Sequence, residues 1–391
     1  MSKTQIPTGI SMPKDRETTR LSRRFFLQGS ALFLASPLWL SGCSEKQSTE
    51  SNDWFISGSD DAKGNHHLSV FDTHGKSILA LPVKQRVHGQ AINPANKDQV
   101  VFFARRPGTE AYVLDIKQRR LKSHFQAGEN RHFFGHGTFS QDGNYLYSCE
   151  NDYTEGAGVI VVRDTTTWQT LSEFPAYGIG THQIAMMPDG KHIVAANGGI
   201  QTHPDFPRKK LNIDTMKPSL TYIEIESGKH IESYHPTHHQ MSIRHLDVGA
   251  DGTVGIAMQY QGSKFDIVPL IAFHKGEDQL QYAQASRDFW QGMKQYTASI
   301  ALDSKNHIAA VTTPRGNNIT FWDIKSKGLL HKEPMEDVAG VVFSQKQQNF
   351  IATTGLGDVF SFAKNSLIRA NANHQRFSNT RWDNHMSLIS S

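Results

Sequence analysis

The chain has 391 residues, of which 37% are hydrophobic and 20% charged, so it can bury a large core but cannot be a polytopic membrane protein. Residues 1–42 contain six Lys or Arg and two acidic residues, and this surplus accounts for the whole formal charge of +4. The remainder is neutral and lacks the excess of Lys and Arg that nucleic-acid binding needs, which excludes nucleic acid as a partner.

The N-terminal segment has the features of a leader. Arg23 and Arg24 are followed by Phe-Phe-Leu and then by an apolar run over Gly29–Trp39. This run is shorter than the roughly 20 apolar residues that cross a bilayer as a helix, so residues 1–42 are predicted to be a signal peptide. The paired arginines resemble a twin-arginine export signal.

The end of the leader, Leu40-Ser41-Gly42-Cys43, resembles a lipobox. It predicts cleavage before Cys43 and a lipid anchor on its thiol, on the periplasmic side of a bacterial envelope; Ser44 favours the outer membrane. The alternative is a simple cleaved signal with an incidental cysteine. Residues 43–52 are expected to be a polar tether. Cys149 then remains without a disulfide partner and is expected to be a small buried residue rather than a nucleophile.

Residues 53–391 repeat a pattern of short β-rich strands and turns. After a partial unit at Trp54–Leu81, six units open at intervals of 41 to 63 residues, which is the length of a propeller blade. These openings are His88, His136, His182, His245, Ala298 and Ala339. The pattern predicts an all-β, seven-bladed β-propeller in which Trp382–Ile389 completes the first blade and closes the ring. Another all-β fold is the alternative, because a repeat period does not fix the number of blades.

Five of the seven innermost strands begin near a histidine, and these strands line the channel of a propeller. The residues are His88, His136, His182, His245 and His385. Neutral imidazoles are common ligands of copper, zinc and iron, so these five are the candidate metal ligands, with iron and copper as the candidate ions. The alternative is that each histidine only bonds a neighbouring blade.

The five histidines fall into two groups by their distance from the apolar anchor of their strand. His136, His245 and His385 lie three residues before it, whereas His88 and His182 lie four before it. On regular strands the two groups would face opposite ways. Only a loop or a bulge at the channel mouth can turn both groups inward, so the first three are the firmer set.

Loops that follow the second strands are expected on the same face of the propeller. Together with the residue before His245, they supply the candidate ligand-binding residues Glu150, Asn151, Asp152, Asn197, His203, Arg244, Arg105 and Arg315. The carboxylates could hold a hard cation or act as acid and base; alternatively, Asp and Asn simply begin loops. Common catalytic motifs are absent from the sequence, so no catalytic residue is assigned.

Two segments of an insertion in the third complete unit are distinctive. They read Asn-Gly-Gly-Ile-Gln-Thr-His-Pro from Asn197 and Leu-Asn-Ile-Asp-Thr-Met-Lys-Pro-Ser-Leu from Leu211. With Glu150–Tyr153 and Ser242–His245, they resemble the bacterial family of domain of unknown function 1513 over nearly the whole mature chain. The resemblance implies an exported propeller similar to YVTN-type and quinoprotein-amine-dehydrogenase-like propellers. It also implies periplasmic iron handling beside imelysin-like and di-haem oxidoreductase proteins.

The functional expectation is a lipid-anchored binding module rather than a catalyst. It would bind a metal, a small ligand or a partner protein on its histidine-bearing face, within iron acquisition. A metal-dependent hydrolase or oxidoreductase is the first alternative, and a scaffold with inert channel histidines is the second.

Overall fold

The computed structural model describes residues 53–72, 76–206, 209–363, 365–369 and 374–389. The predicted leader with Arg23 and Arg24, the predicted lipidation site Cys43 and the predicted tether at residues 43–52 lie outside the described residues. Within these ranges the chain forms seven four-stranded antiparallel sheets. The structure therefore confirms the seven-bladed, all-β propeller.

The first three blades take up the first half of the propeller. The first blade contains β1 (Trp54–Asp61), β2 (His66–Asp72) and β3 (Ser77–Val83). The second blade contains, from the axis outward, β4 (Val87–Ile92), β5 (Gln99–Ala104), β6 (Glu110–Asp115) and β7 (Arg120–Gln126). The third contains β8 (Arg131–Phe139), β9 (Tyr145–Asp152), β10 (Ala157–Asp164) and β11 (Thr170–Pro175).

The next four blades repeat this order. The fourth contains β12 (Thr181–Met186), β13 (His192–Asn197), β14 (Ser219–Glu224) and β15 (His230–Tyr234). The fifth contains β16 (Met241–Val248), β17 (Val254–Tyr260), β18 (Ile271–His274) and β19 (Gln281–Tyr282). The sixth contains β20 (Ser299–Asp303), β21 (Ile308–Thr313), β22 (Asn318–Asp323) and β23 (Leu329–Pro334). The seventh contains β24 (Val338–Ser344), β25 (Asn349–Thr354), β26 (Asp358–Ala363) and β27 (Gln375–Arg376).

Helical structure is minor among the described residues. A single 3-10 turn, Ile213–Thr215, lies in the insertion between β13 and β14 of the fourth blade. One short helix, α1 (Arg287–Gly292), joins the fifth and sixth blades, and the side chain of Ser286 caps its first turn. No helix in the described part of the chain is long and apolar enough to span a membrane.

The last strand, β28 (Thr380–Ile389), closes the ring. It pairs with β1 and is the innermost strand of the first blade. Its Trp382 is 4% exposed and lies 4.7 Å from Phe71 and 5.1 Å from Phe377 between ring centroids. The two ends of the described chain thus share one sheet, and this leaves no open edge at the axis.

We predict that Trp382→Ala destabilises the protein by about 3–5 kcal/mol, because it removes a buried aromatic side chain from the blade that closes the ring. The matched control is Phe265→Ala, since Phe265 is 77% exposed; it should change the free energy of unfolding by less than about 0.5 kcal/mol. Urea unfolding of both variants measures the difference. Equal effects of the two substitutions would contradict the closing role of β28.

Candidate metal centre

Five imidazole rings meet on the propeller axis. The ring of His385 lies at the centre, with centroid distances of 4.4 Å to His88, 4.5 Å to His136 and 4.5 Å to His245. His182 joins the group at 4.8 Å from His245. The structure thus brings together all five histidines that the sequence selected as candidate metal ligands.

Irregular pairing on the innermost strands explains how histidines at two different offsets can face the same point. The register between β4 and β5 shifts across His88, and the register between β12 and β13 shifts across His182. Shifts also cover His136 in β8 and His385 in β28, while in β16 the shift falls at Arg244, just before His245. A bulge changes which way the following side chains point, so the simple two-residue alternation does not apply here.

Two glycines permit the close approach of the second and third blades. A Cβ atom on Gly89 would lie 2.4 Å from the backbone oxygen of Gly135 and 2.5 Å from Nδ1 of His136. Gly135 has φ +108°, and its Cβ would lie 2.7 Å from Cβ of His88. Larger residues at either position would push the His88 and His136 rings apart.

Three of the rings carry a buried nitrogen that has no hydrogen-bond partner in the described part of the chain. The atoms are Nε2 of His136, Nδ1 of His245 and Nε2 of His385. One ligand atom from each of these histidines lies within 4.8 Å of the other two. This trio is the same group that shares the three-residue offset in the sequence.

His88 is oriented by a carboxylate from the other end of the chain. Its Nδ1 donates to Oδ1 of Asp383 at 2.6 Å, and Arg86 donates from Nη2 to Oδ2 of the same carboxylate at 2.8 Å. Nε2 of His88 is thereby left as the nitrogen with a free lone pair. A carboxylate behind a histidine is the usual arrangement that orients a metal ligand.

His182 differs from the other four histidines because an arginine occupies one of its nitrogens. Nη1 of Arg244 donates to Nδ1 of His182 at 3.3 Å. This contact places the imidazole proton on Nε2, which then cannot coordinate a metal unless the bond to Arg244 is lost. His182 is therefore the least suited of the five to ligate an ion.

Burial keeps the cluster uncharged. It lowers the pKa of His136, His182, His245 and His385 well below 6.5, and repulsion between neighbouring imidazoles adds to the effect. Burial also lowers the pKa of His88, although Asp383 opposes this shift. Neutral imidazoles are the form that binds metal ions.

The imidazole cluster separates two cavities. The upper cavity, about 210 Å³, lies at the start of the innermost strands and reaches His88, His182 and His245. The lower cavity, about 410 Å³, continues along the innermost strands and reaches His136, His245 and His385. An ion could therefore approach the cluster from either face.

Three of the predicted ligand-binding residues line the upper cavity. They are Arg105, Arg244 and Arg315, and Arg106 and Lys210 lie beside them. The side chain of Arg315 stacks on Tyr296, with Cζ 4.3 Å from the ring centroid. These residues form one basic wall in front of the imidazoles.

The acidic segment after Cys149 has internal contacts instead. Glu150 is 0% exposed and accepts from Nη2 of Arg163 at 2.7 Å. Asn151 bonds Nε2 of His132 at 3.1 Å, and Asp152 accepts from Arg131 at 3.4 Å. None of the three lines either cavity at the imidazole cluster.

Asn197 and His203 also lie apart from the cluster. Asn197 is fully buried and bonds Thr181 Oγ1 at 2.6 Å and the backbone oxygen of Ala176 at 2.9 Å, which anchors the insertion to its blade. His203 lies 5.0 Å from Tyr153 between ring centroids, in the outer part of the insertion.

The sequence analysis gave no role to Asp383 or Lys210. Asp383 precedes His385 by two residues on the same strand, but its contact with His88 spans 295 positions and no local pattern reveals it. Lys210 is brought to the cavity by the insertion, whose path the repeat does not define.

Cys149 is buried, as expected for a structural cysteine. Its thiol donates to the backbone oxygen of His136 at 3.1 Å, and burial raises its pKa to about 12. It therefore supports the strand that carries His136 and does not provide a thiolate nucleophile.

We predict that the metal-free protein loses stability as pH falls below about 6.5. In this range the unfolded chain binds protons at the five imidazoles and at His132, whose pKa burial lowers to about 4, whereas the folded chain binds fewer protons at these groups. Each imidazole removes up to about 1.4 kcal/mol per pH unit. Asp247, whose pKa burial raises to about 6, acts in the opposite direction but is a single group. Urea unfolding at pH 7.5, 6.5 and 5.5 measures the slope.

The control for this measurement is His136→Gln, which removes one of the buried imidazoles whose pKa is lowered in the folded chain. Its slope should be smaller than that of the unmodified protein by up to about 1.4 kcal/mol per pH unit. Stability that rises on acidification, or a slope that the substitution leaves unchanged, would show that the imidazoles are charged in the folded state.

Comparison with known proteins agrees with this fold. A chain of Kuenenia stuttgartiensis hydrazine synthase is similar, with a TM-score of 0.56 and 15% sequence identity, covering 83% of this chain and 95% of that chain. At this identity the similarity concerns the fold alone. No curated protein sequence matches the chain. The family model described as "Protein of unknown function (DUF1513)" matches residues 81–389, and the chain belongs to this family.

Proposed function

We propose that this propeller binds a transition-metal ion on its axis. The ligands are His136, His245 and His385, with Nε2 of His88 as the fourth. The observation that carries the proposal is the set of three buried imidazoles, each with an unpartnered nitrogen, whose ligand atoms lie within 4.8 Å of one another.

The unpartnered nitrogens are costly without a ligand. A buried polar atom with no hydrogen-bond partner costs about 1–3 kcal/mol, and such atoms are rare in native proteins. Three of them lie in one cluster here. A bound ion would satisfy all three together, which explains why the chain tolerates them at the axis.

The distances require only a small contraction. A metal bound by imidazoles at about 2.0–2.1 Å brings tetrahedral donor nitrogens to roughly 3.4 Å from one another. The present limit of 4.8 Å exceeds this spacing, so the rings must each turn or shift inward by less than about 1 Å. Since the imidazoles are already uncharged, no proton has to leave them.

The donor set favours ions that accept nitrogen ligands. Imidazole suits copper, zinc, iron and nickel, whereas calcium and magnesium prefer oxygen donors. With nitrogen donors alone, affinity should follow the general order in which copper(II) exceeds zinc and iron(II). Copper and iron are the ions that the sequence predicts. Because iron(II) binds such donors less tightly than copper(II), iron would occupy the site only where it is the more available ion.

The setting that we propose is the bacterial envelope, with a lipid anchor at Cys43. The twin-arginine pathway carries folded proteins, so a metal could be inserted before export. The resemblance of the sequence supports a role in iron acquisition with imelysin-like and di-haem oxidoreductase partners. We propose binding rather than catalysis because the thiol of Cys149 is buried with a raised pKa and the sequence carries none of the common catalytic motifs.

We predict one tightly bound ion per chain, and a loss of affinity greater than 100-fold on His136→Gln or His385→Gln. Asp383→Asn should weaken binding by about 10- to 100-fold, because the carboxylate orients His88. Titration calorimetry with copper(II) and zinc, together with the visible spectrum of the cobalt(II) form, measures affinity and coordination.

Two controls separate the ligands from their neighbours. His182→Gln should weaken binding by less than about 10-fold, since Arg244 occupies this ring. His67→Gln, on the outer part of the first blade, should have no effect. The scaffold alternative would be supported if the unmodified protein binds no ion. It would also be supported if all the variants fold normally and bind the ion as tightly as the unmodified protein does.

A further inference from the structure

The upper cavity has a concentration of positive charge that the imidazoles do not explain. Five cationic side chains line it, namely Arg105, Arg106, Arg244, Arg315 and Lys210, and no Asp or Glu is among its lining residues. The carboxylate of Asp383 bonds His88 and Arg86, and it lies 3.7 Å from Nη1 of Arg105, so it offsets the charge of Arg105. The other four cations have no ion pair with a described carboxylate, so the cavity is a cationic pocket with an excess of positive charge.

The positive groups repel one another. Burial lowers the pKa of Arg106, and Arg105 adds to the shift. Burial lowers the pKa of Lys210 as well, with contributions from Arg244, Arg315 and Arg106. Holding like charges close together reduces the stability of the folded protein, and an anion bound in the pocket would offset this repulsion.

One of these groups has unused hydrogen-bonding capacity inside the protein. Nε of Arg244 is buried and has no partner, although Nη1 of the same side chain bonds His182. A guanidinium presents its N–H groups as a fork that matches the two oxygens of a carboxylate or phosphate. An oxygen atom of a ligand in the cavity would supply the acceptor that Nε of Arg244 lacks among the described residues.

The size of the cavity limits the ligand. About 210 Å³ is open to the centre of a water-sized sphere, which is room for several water molecules. Phosphate or a dicarboxylate of four carbons fits this space. His88 and His245 form part of the same lining, so an oxygen of the anion can reach an ion held by these histidines.

We propose that the upper cavity binds a small oxyanion that also coordinates the axial metal ion, so that the ion is held together with an anionic ligand. This proposal rests on the proposed function for the metal, but the basic pocket itself is independent of it. On one side the anion neutralises Arg106, Arg244 and Arg315. On the other side it adds an oxygen atom as a fifth ligand of the ion that the histidines hold.

The test is titration calorimetry of succinate and of inorganic phosphate into the metal-free and the cobalt(II)-loaded protein. Binding is expected in both states and should be at least 10-fold tighter in the loaded state, since coupling between two ligands is reciprocal. The anion should also shift the visible spectrum of bound cobalt(II). Tighter binding of succinate would assign an organic carboxylate, and tighter binding of phosphate would assign the inorganic ion.

The variants are placed on the exposed side of the pocket, where a substitution is not expected to disturb folding. Arg315→Gln and Lys210→Gln should each weaken oxyanion binding by about 10-fold or more, and Arg315→Lys should weaken it less than Arg315→Gln, because it keeps the charge and loses the fork. Arg120→Gln, on the exposed outer strand β7, is the matched control and should have no effect.

The outcomes separate the two proposals. A protein that binds cobalt(II) but neither anion, in either state, overturns the oxyanion site and leaves the metal site standing. Anion binding that Arg315→Gln and Lys210→Gln do not weaken also overturns it. Anion binding to a protein that takes up no metal ion overturns the proposed function and the coupling, while the pocket remains an oxyanion site.

Discussion

The packing of five uncharged imidazoles around the propeller axis is the constraint on which the rest of the site depends. The ring of His385 lies within 4.5 Å of the rings of His88, His136 and His245, between centroids. Such proximity is possible only because burial keeps the rings neutral and because Gly89 and Gly135 leave room between their blades. The bulges in the innermost strands serve the same packing, because they turn histidines at two different offsets toward the axis.

Closure of the ring and assembly of the site depend on the same strand. Strand β28 supplies the inner strand of the first blade, the central ligand His385 and the carboxylate of Asp383 that orients His88. Until the chain end pairs with β1, neither the propeller nor the imidazole cluster is complete. Stability and ligand binding are therefore coupled through a single ten-residue strand.

The repeat in the sequence was enough to predict seven blades, the closing strand and the five axial histidines. It could not show that the five histidine side chains meet at one point. Histidines at two different offsets would face opposite ways on regular strands, and the sequence pattern does not reveal a bulge. The repeat also could not show which predicted ligand-binding residues face the cavity. Arg315 lines it, whereas the carboxylate of Glu150 is hydrogen-bonded to Arg163. That difference depends on contacts between strands distant in the chain.

The most direct test of a metal site on the axis is a crystal structure of the copper- or zinc-loaded protein, with anomalous diffraction measured at the absorption edge of the ion. We expect one strong peak on the axis, about 2.0–2.1 Å from nitrogen atoms of His136, His245 and His385. A peak only at surface histidines such as His66 or His238, with the axial imidazoles unchanged, would contradict it.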